Sequence, residues 1–369
     1  MARGRRRARP SDVLGVPVLP PGVVSVAANR VRAGVARAHA AMAPPPVRIL
    51  EGLFGALDHR VLVELCRLDV PDVLDQPMGI DELARRVDAD AARLERLVRF
   101  GASRGWVRID RHGRVRPSRV TPFLRRDHPG GWRAWVDFAG GAEVTAAIGG
   151  LRADVDDPFA AANGAPFFEW MAANPDRWAV FDDAMAAGAR MHALALAAAL
   201  DWSASERVCD VGGGVGELLA TLLDLQDHLE GTVVDLPGVV ARAVTHPRLT
   251  AVAGDAFVHV PAGFDTYLFV NVLHDWDDAH GVRLLANAAA AAGDDGRVLV
   301  VEGDAPARPA PDLPVSVDVL MAALTGGGHE RDAAAIADLA SRAGLRLRRT
   351  VVLASADLVH ELVPATSHH

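Results

Sequence analysis

The sequence predicts an α/β chain: a doubly wound parallel sheet in the C-terminal half, preceded by a smaller, mainly helical N-terminal region. Three observations carry this. Residues 201–369 alternate short apolar runs with helical periods. A glycine-rich turn stands between the first such run and the first such period. Residues 47–126 carry apolar residues at helical spacing and end in two short alternating segments.

The composition bounds the rest. The chain has 369 residues, half of them hydrophobic and 23% charged, so a large core can form and global disorder is excluded. The longest uncharged run, 13–29, is broken by Pro17, Pro20 and Pro21, so neither a membrane-spanning helix nor a membrane partner is expected. Two distant cysteines, Cys66 and Cys209, make neither a disulfide framework nor a zinc-finger spacing and fit a reducing, cytoplasmic setting. All 39 basic residues are arginine, which excludes a P-loop lysine, a Schiff-base lysine and a Tyr-x-x-x-Lys pair. A net charge of −8 favours solubility and says little about partners.

The elements follow in order. Residues 1–46 read as an irregular basic arm, with arginines at 3, 5, 6, 7, 9, 30, 32 and 37 against one acid, Asp12. A nucleic-acid-touching tail and a twin-arginine export signal are its rival readings, the second weakened by the prolines that follow Arg5-Arg6-Arg7. Within 47–126, Ile49, Leu50, Leu53, Phe54 and Leu57 recur at helical spacing, as do Val61, Leu62, Leu65 and Leu68. Two further helices, the second stopped by Gly105, precede alternating segments on either side of His112-Gly113, which is a winged helix-turn-helix pattern. Thirteen arginines against six acids between Ile80 and Arg126 keep a DNA-reading role open as a rival, although no nucleic-acid partner is expected. Residues 127–200 read as helices rich in Ala, Trp, Phe and Met, either plain core or a wall for a flat apolar ligand. In 201–369, strands are expected at 207–211, 231–235, 249–252, 266–272 and 297–302, and a helix at 217–225.

The chemistry-bearing residues lie just past these strands. Asp210-Val211-Gly212-Gly213-Gly214-Val215-Gly216 is D-x-G-x-G-x-G; Glu217 fills the place where a dinucleotide fingerprint needs its last glycine. Such a turn lets a ligand lie on backbone N–H groups. Asp235, nineteen residues after Gly216, can accept two ribose hydroxyls, a device shared with dinucleotide enzymes. In Gly254-Asp255-Ala256-Phe257, an acid beside an apolar residue suits an adenine amino group. In Leu273-His274-Asp275-Trp276-Asp277-Asp278, His274 stands where a bound acceptor would meet the cofactor. An ordinary imidazole, titrating near pH ~6.5, could take a proton there from a phenol-like hydroxyl. Glu302 and Glu330 are two acids that could orient the imidazole. No second histidine sits at helical spacing beside His274, so no metal is expected.

Taken in order, DVGGGVG, VVDLPGVV, GDAF, LHDWDD and GGGHERD resemble the S-adenosylmethionine-dependent O-methyltransferases of plant caffeate type, and more closely their actinobacterial relatives in antibiotic and pigment pathways. The resemblance covers about residues 47–355. It implies a class I methyltransferase domain at 201–369, helices at 127–200 lining the acceptor pocket, and an all-α winged-helix domain at 47–126 that builds a homodimer. It implies S-adenosylmethionine as donor and S-adenosylhomocysteine as product. The base would be His274, flanked by Glu302 and Glu330. Cofactor residues would be Asp210, Gly212, Gly214, Gly216, Asp235 and Leu236, with Asp255, Ala256, Phe257 and Asn271. Phe181, Met185, Asp275 and Met321 would face the small-molecule acceptor. Departures are Val270, where plant members carry a lysine, Asn271 in place of an aromatic, and His329-Glu330-Arg331-Asp332 in place of Lys-Glu-Arg-Thr.

The reaction this implies is methyl transfer to a hydroxyl of an aromatic or polyketide-like molecule. Alternatives are transfer to nitrogen or carbon, a cofactor-binding homologue turned to hydroxylation or decarboxylation, and a DNA-binding regulator.

Overall fold

The structure is a computed structural model that describes residues 7–305, 309–311 and 313–365. It divides into two compact units, one formed by 1–37, 146–175 and 188–369, the other by 38–145 and 176–187. The expected helical stretch 127–200 is therefore shared between them rather than forming its own segment.

The first unit is built on seven strands: β3 (Arg207–Val211), β4 (Glu230–Asp235), β5 (Leu249–Ala253), β6 (Thr266–Val270), β7 (Arg297–Glu302), β8 (Leu345–Val352) and β9 (Leu358–Pro364). Their spatial order is β5-β4-β3-β6-β7-β9-β8. The first five listed run parallel. β9 pairs antiparallel with β7 and with β8, so the sheet is mixed at one edge, which the strand–helix alternation did not reveal. Side chains alternate between two cores. Cys209, Val211, Tyr267, Phe269, Val298 and Val300 pack with Leu284, Leu285, Ile336 and Leu339 on one face. Val208, Leu268, Leu299 and Val301 pack with Leu196, Leu218 and Leu222 on the other. Burial on both faces is why these strands read as near-continuous apolar runs. Strand order reverses between β3 and β6, and ligands of such sheets bind at the carboxyl ends of the strands beside that point.

In the second unit the helices Ile80–Arg86 and Ala91–Ser103 precede a two-stranded antiparallel hairpin, β1 (Val107–Ile109) and β2 (Val115–Pro117), so the unit is not all-α. Leu65, Leu83, Leu94, Val98, Val107 and Val115 form its core.

The arm is not irregular. Arg3, Arg5 and Arg6 lie outside the described residues, but helices form at Pro10–Leu14 and Gly22–Met42. Alanine-rich sequence favours helix once the prolines at 17, 20 and 21 have been passed. Val13 is buried, and a Cβ at Gly22 would overlap the Val352 carbonyl oxygen. No helix among the described residues is long and apolar enough to cross a membrane.

Candidate active site

The glycine-rich turn follows β3. Gly212, Gly214 and Gly216 have φ of +70°, +60° and +79°, values that side chains resist, so three glycines are required in this run. Asp235 ends the neighbouring β4 and braces the turn. Its Oδ2 accepts from the Gly214 amide at 2.8 Å and its Oδ1 from the Leu236 amide at 2.7 Å. Burial pushes its carboxyl up, while the two amides pull it down. Asp210 lies beneath the turn, 1% exposed, and its Oδ2 has no partner among the described residues. Burial, and then the charge of Asp235, push its carboxyl up to about 7. Past β5, Asp255 Oδ1 accepts from the Phe257 amide at 2.9 Å, and Asn287 holds the Ala256 carbonyl at 2.7 Å.

Past β6 the chain turns sharply. Asn271 adopts φ +53° while its amide donates to Val301 at 2.9 Å, and a single 3₁₀ turn, Leu273–Asp275, follows. This carries His274, 8% exposed. The two candidate orienting acids divide the work. Glu330 Oε1 meets His274 Nδ1 at 2.8 Å, whereas Glu302 Oε1 accepts from the His274 backbone amide at 3.0 Å. Glu330 is itself held by its backbone amide, which donates to Asp318 at 2.9 Å. Asp318 lies on the helix Leu313–Leu324, one turn before the buried Met321. His274 Nε2 makes no hydrogen bond among the described residues; the Asp275 carboxylate is its nearest acid, at 3.7 Å.

The electrostatics depart from the ordinary imidazole that the sequence suggested. Burial lowers the His274 pKa. The Glu330 bond and the charges of Asp275, Glu302 and Glu330 outweigh it and bring it up to about 9. Burial likewise raises the Asp275 carboxyl to about 6 and that of Glu302 to about 7.

Sequence reasoning missed several residues here. Trp276 stacks on Phe168 at 5.4 Å and meets Phe257 edge-to-face at 4.7 Å, joining Phe168 to the Asp255 loop. Its signal was an aromatic directly after His274-Asp275. Asp318 and Arg331 were also missed, because their partners lie 12 and more than 50 residues away. Phe181 and Met185 fall in the other compact unit, where Phe181 rests on Phe138 at 5.2 Å.

Comparisons with known proteins place the chain in a family. Residues 142–346 match the O-methyltransferase domain family and residues 50–123 the O-methyltransferase dimerisation domain family. O-methyltransferase SfmM3 of Streptomyces lavendulae is 33% identical over 323 residues, spanning 82% of this chain and 96% of the relative. The 2,7-dihydroxy-5-methyl-1-naphthoate 7-O-methyltransferase of Streptomyces carzinostaticus is 34% identical, spanning 72% and 82%. Among solved structures, CalO1, a methyltransferase of calicheamicin biosynthesis in its SAH-bound form, superposes with a TM-score of 0.77 at 30% identity, covering 87% of this chain and 98% of that one.

Proposed function

The chain belongs to the S-adenosylmethionine-dependent O-methyltransferase family, and on that premise we propose that His274 is the base that accepts a proton from a hydroxyl of an aromatic or polyketide-like acceptor. The observation that carries this reading is the His274–Glu330 contact at 2.8 Å: it occupies Nδ1 and leaves Nε2 as the nitrogen available to a substrate hydroxyl. When bound, S-adenosylmethionine supplies an activated methyl group on a positively charged sulfur, a charge that opposes the imidazolium and favours the neutral, basic ring.

The residues present fit that group. The left-handed glycines carry no side chain to hold a ligand off the backbone of the turn, with open space beside Gly214, and Asp235 and Asp255 stand at and just past the ends of adjoining strands for ribose and adenine. In this reading Asp210 supports the turn from below, and Leu236, Ala256, Phe257 and Asn271 complete the cofactor side. Glu302 fixes the backbone at His274, and Glu330 fixes the ring and stabilises the imidazolium as it forms. Holding donor and acceptor in line supplies several kcal/mol. A positioned base adds about 10²–10⁴-fold.

Met321 would line the acceptor side. The Asp275 carboxylate takes no hydrogen bond from the described residues, so a second donor on the acceptor would satisfy it. An aromatic acceptor is supported by the naphthoate named for one relative. The dimerisation match supports a pair of identical subunits.

The test is incubation with isotope-labelled S-adenosylmethionine and a panel of phenolic compounds, with fragment analysis to locate the label on oxygen. His274→Ala should lower turnover by about 10²-fold or more and leave S-adenosylhomocysteine binding by calorimetry intact. Near-wild-type turnover would reject the base role, and absence of any binding would reject the cofactor site.

A further inference from the structure

Arg331 belongs to no step described so far, yet it is 2% exposed and among the largest fully buried side chains. Its guanidinium reaches both ends of the turn that carries His274. Nη1 donates to the Leu273 carbonyl at 2.8 Å and Nη2 to the Trp276 carbonyl at 2.7 Å. Nε donates to Asp278 at 3.0 Å, and Nη1 also reaches the His329 carbonyl at 3.4 Å. Leu273 and Trp276 bracket His274 and Asp275 in the chain.

That turn is weakly held by its own backbone. It is one 3₁₀ turn, and its internal bonds, Asp275 N to Val272 O and Trp276 N to Leu273 O, measure 3.3 and 3.1 Å. The segment enters it through the left-handed Asn271. Short 3₁₀ pieces have poor hydrogen-bond geometry and need external support. Glu302 supplies one bond, to the His274 amide, and Arg331 supplies the two on the carbonyl side. Arg331 also follows Glu330 in the chain, so the acid and the clamp arrive on the same segment.

We propose that Arg331 is a positioning residue: by gripping the carbonyls on either side of His274-Asp275 it sets the imidazole at bonding distance from Glu330. The planar fork is needed for this. A lysine ammonium is a single point charge and cannot address two carbonyls and a carboxylate in fixed directions. The inference rests on His274 being the base, but its geometry can be read without turnover.

The charged groups facing the His274 ring are Glu330, Asp275 and Glu302. Loosening the turn weakens the Glu330 bond first. The imidazole should then titrate lower.

The experiment compares Arg331→Met and Arg331→Lys with Arg248→Met. Arg248 is the control, since it grips the Gln226 and Leu229 carbonyls at 2.9 and 2.6 Å, among residues that do not carry the base. The first readout is the His274 titration midpoint by NMR of ring-labelled protein saturated with S-adenosylhomocysteine, assigned through the signal missing in His274→Asn. Both Arg331 variants should titrate lower by about one pH unit or more. With a phenolic acceptor that the wild type turns over, kcat should fall about tenfold or more while KM for S-adenosylmethionine stays within about twofold. Arg248→Met should lower Tm and leave the midpoint unchanged. Midpoints equal to wild type in the Arg331 variants, or an equal shift in Arg248→Met, overturn the proposal. Should the Arg331 variants fail to fold, Asp278→Asn, at a half-exposed position, removes one anchor of the clamp. It should lower kcat about two- to fivefold with a smaller downward midpoint shift; no change in either overturns the proposal. A fully active His274→Ala would sink the base role and still leave the NMR comparison readable.

Discussion

Replacing Glu330 by Gln keeps the shape of the side chain and removes the charge that faces His274 Nδ1 at 2.8 Å. Two consequences oppose each other. With the charge in place the imidazole titrates at about 9, so at pH 7 only about one ring in a hundred is neutral and able to act as base. Without the charge the midpoint should fall towards ~6.5, and about three quarters of the rings become neutral at pH 7. Against this gain stands the loss of a charge-assisted hydrogen bond to the imidazolium that forms as the proton is taken. Such a bond is worth about 1.5–3 kcal/mol, or roughly 10- to 150-fold in rate. At pH 7 gain and loss nearly cancel, and the two proteins should differ by less than about tenfold. Near pH 9.5 the wild-type ring is mostly neutral already, so the variant should show most of the roughly 10- to 150-fold deficit. A positively charged donor lowers both midpoints alike and leaves this divergence in place. The assay is transfer of labelled methyl to a saturating phenolic acceptor between pH 6 and 10. A wild-type-to-variant kcat ratio that stays constant over that range would refute the reasoning. Stability follows the same sign: the raised His274 midpoint favours the folded state fully below about pH 6.5 and is lost as pH rises through about 9, so the variant should be less stable than wild type at pH 6 and converge on it at high pH.

Three further changes probe neighbouring features. Gly303→Ala would put a Cβ 2.7 Å from Glu330 Oε2; overpacking of this kind costs about 1–3 kcal/mol, and kcat should fall while calorimetric S-adenosylhomocysteine affinity holds. Asp210, raised to about 7 by burial and then by Asp235, stabilises the fold fully below its unfolded value of ~3.9, and that contribution is lost as pH rises through 7. Asp210→Asn should therefore match or exceed wild-type Tm at pH 8 and not at pH 4; a Tm difference independent of pH contradicts the assignment. Asp235→Asn weakens the brace on the Gly214 amide and should cost about tenfold in S-adenosylhomocysteine affinity by calorimetry, with Tm little changed.

Much of the site was legible because its parts are local. The glycines of 212–216 and the acids at 235 and 255 stand at fixed offsets from apolar strands, and those strands form within one or two residues of the expected limits. The two antiparallel edge strands were not legible, since their pairing partners are chosen by space rather than by sequence order. Nor was the division between Glu302 and Glu330, which depends on one oxygen meeting a backbone amide and another meeting a ring. The arm misled through its arginines and prolines, although its alanines favour helix. The protonation of His274 misled most. A residue type carries an ordinary pKa, and only packing brings three carboxylates to one buried ring.

The ladder between β6 and β7 pairs Val270 with Val301, one residue before the acid that caps the His274 amide. The turn is thus gauged against a lattice that advances about 3.3 Å per residue and admits no partial steps. A slip of one place would carry Glu302 to the opposite side of the sheet and leave the His274 amide without its carboxylate. Because backbone pairing alone sets that register, side chains on the surrounding loops and helices can be exchanged without moving Glu302 relative to the His274 amide.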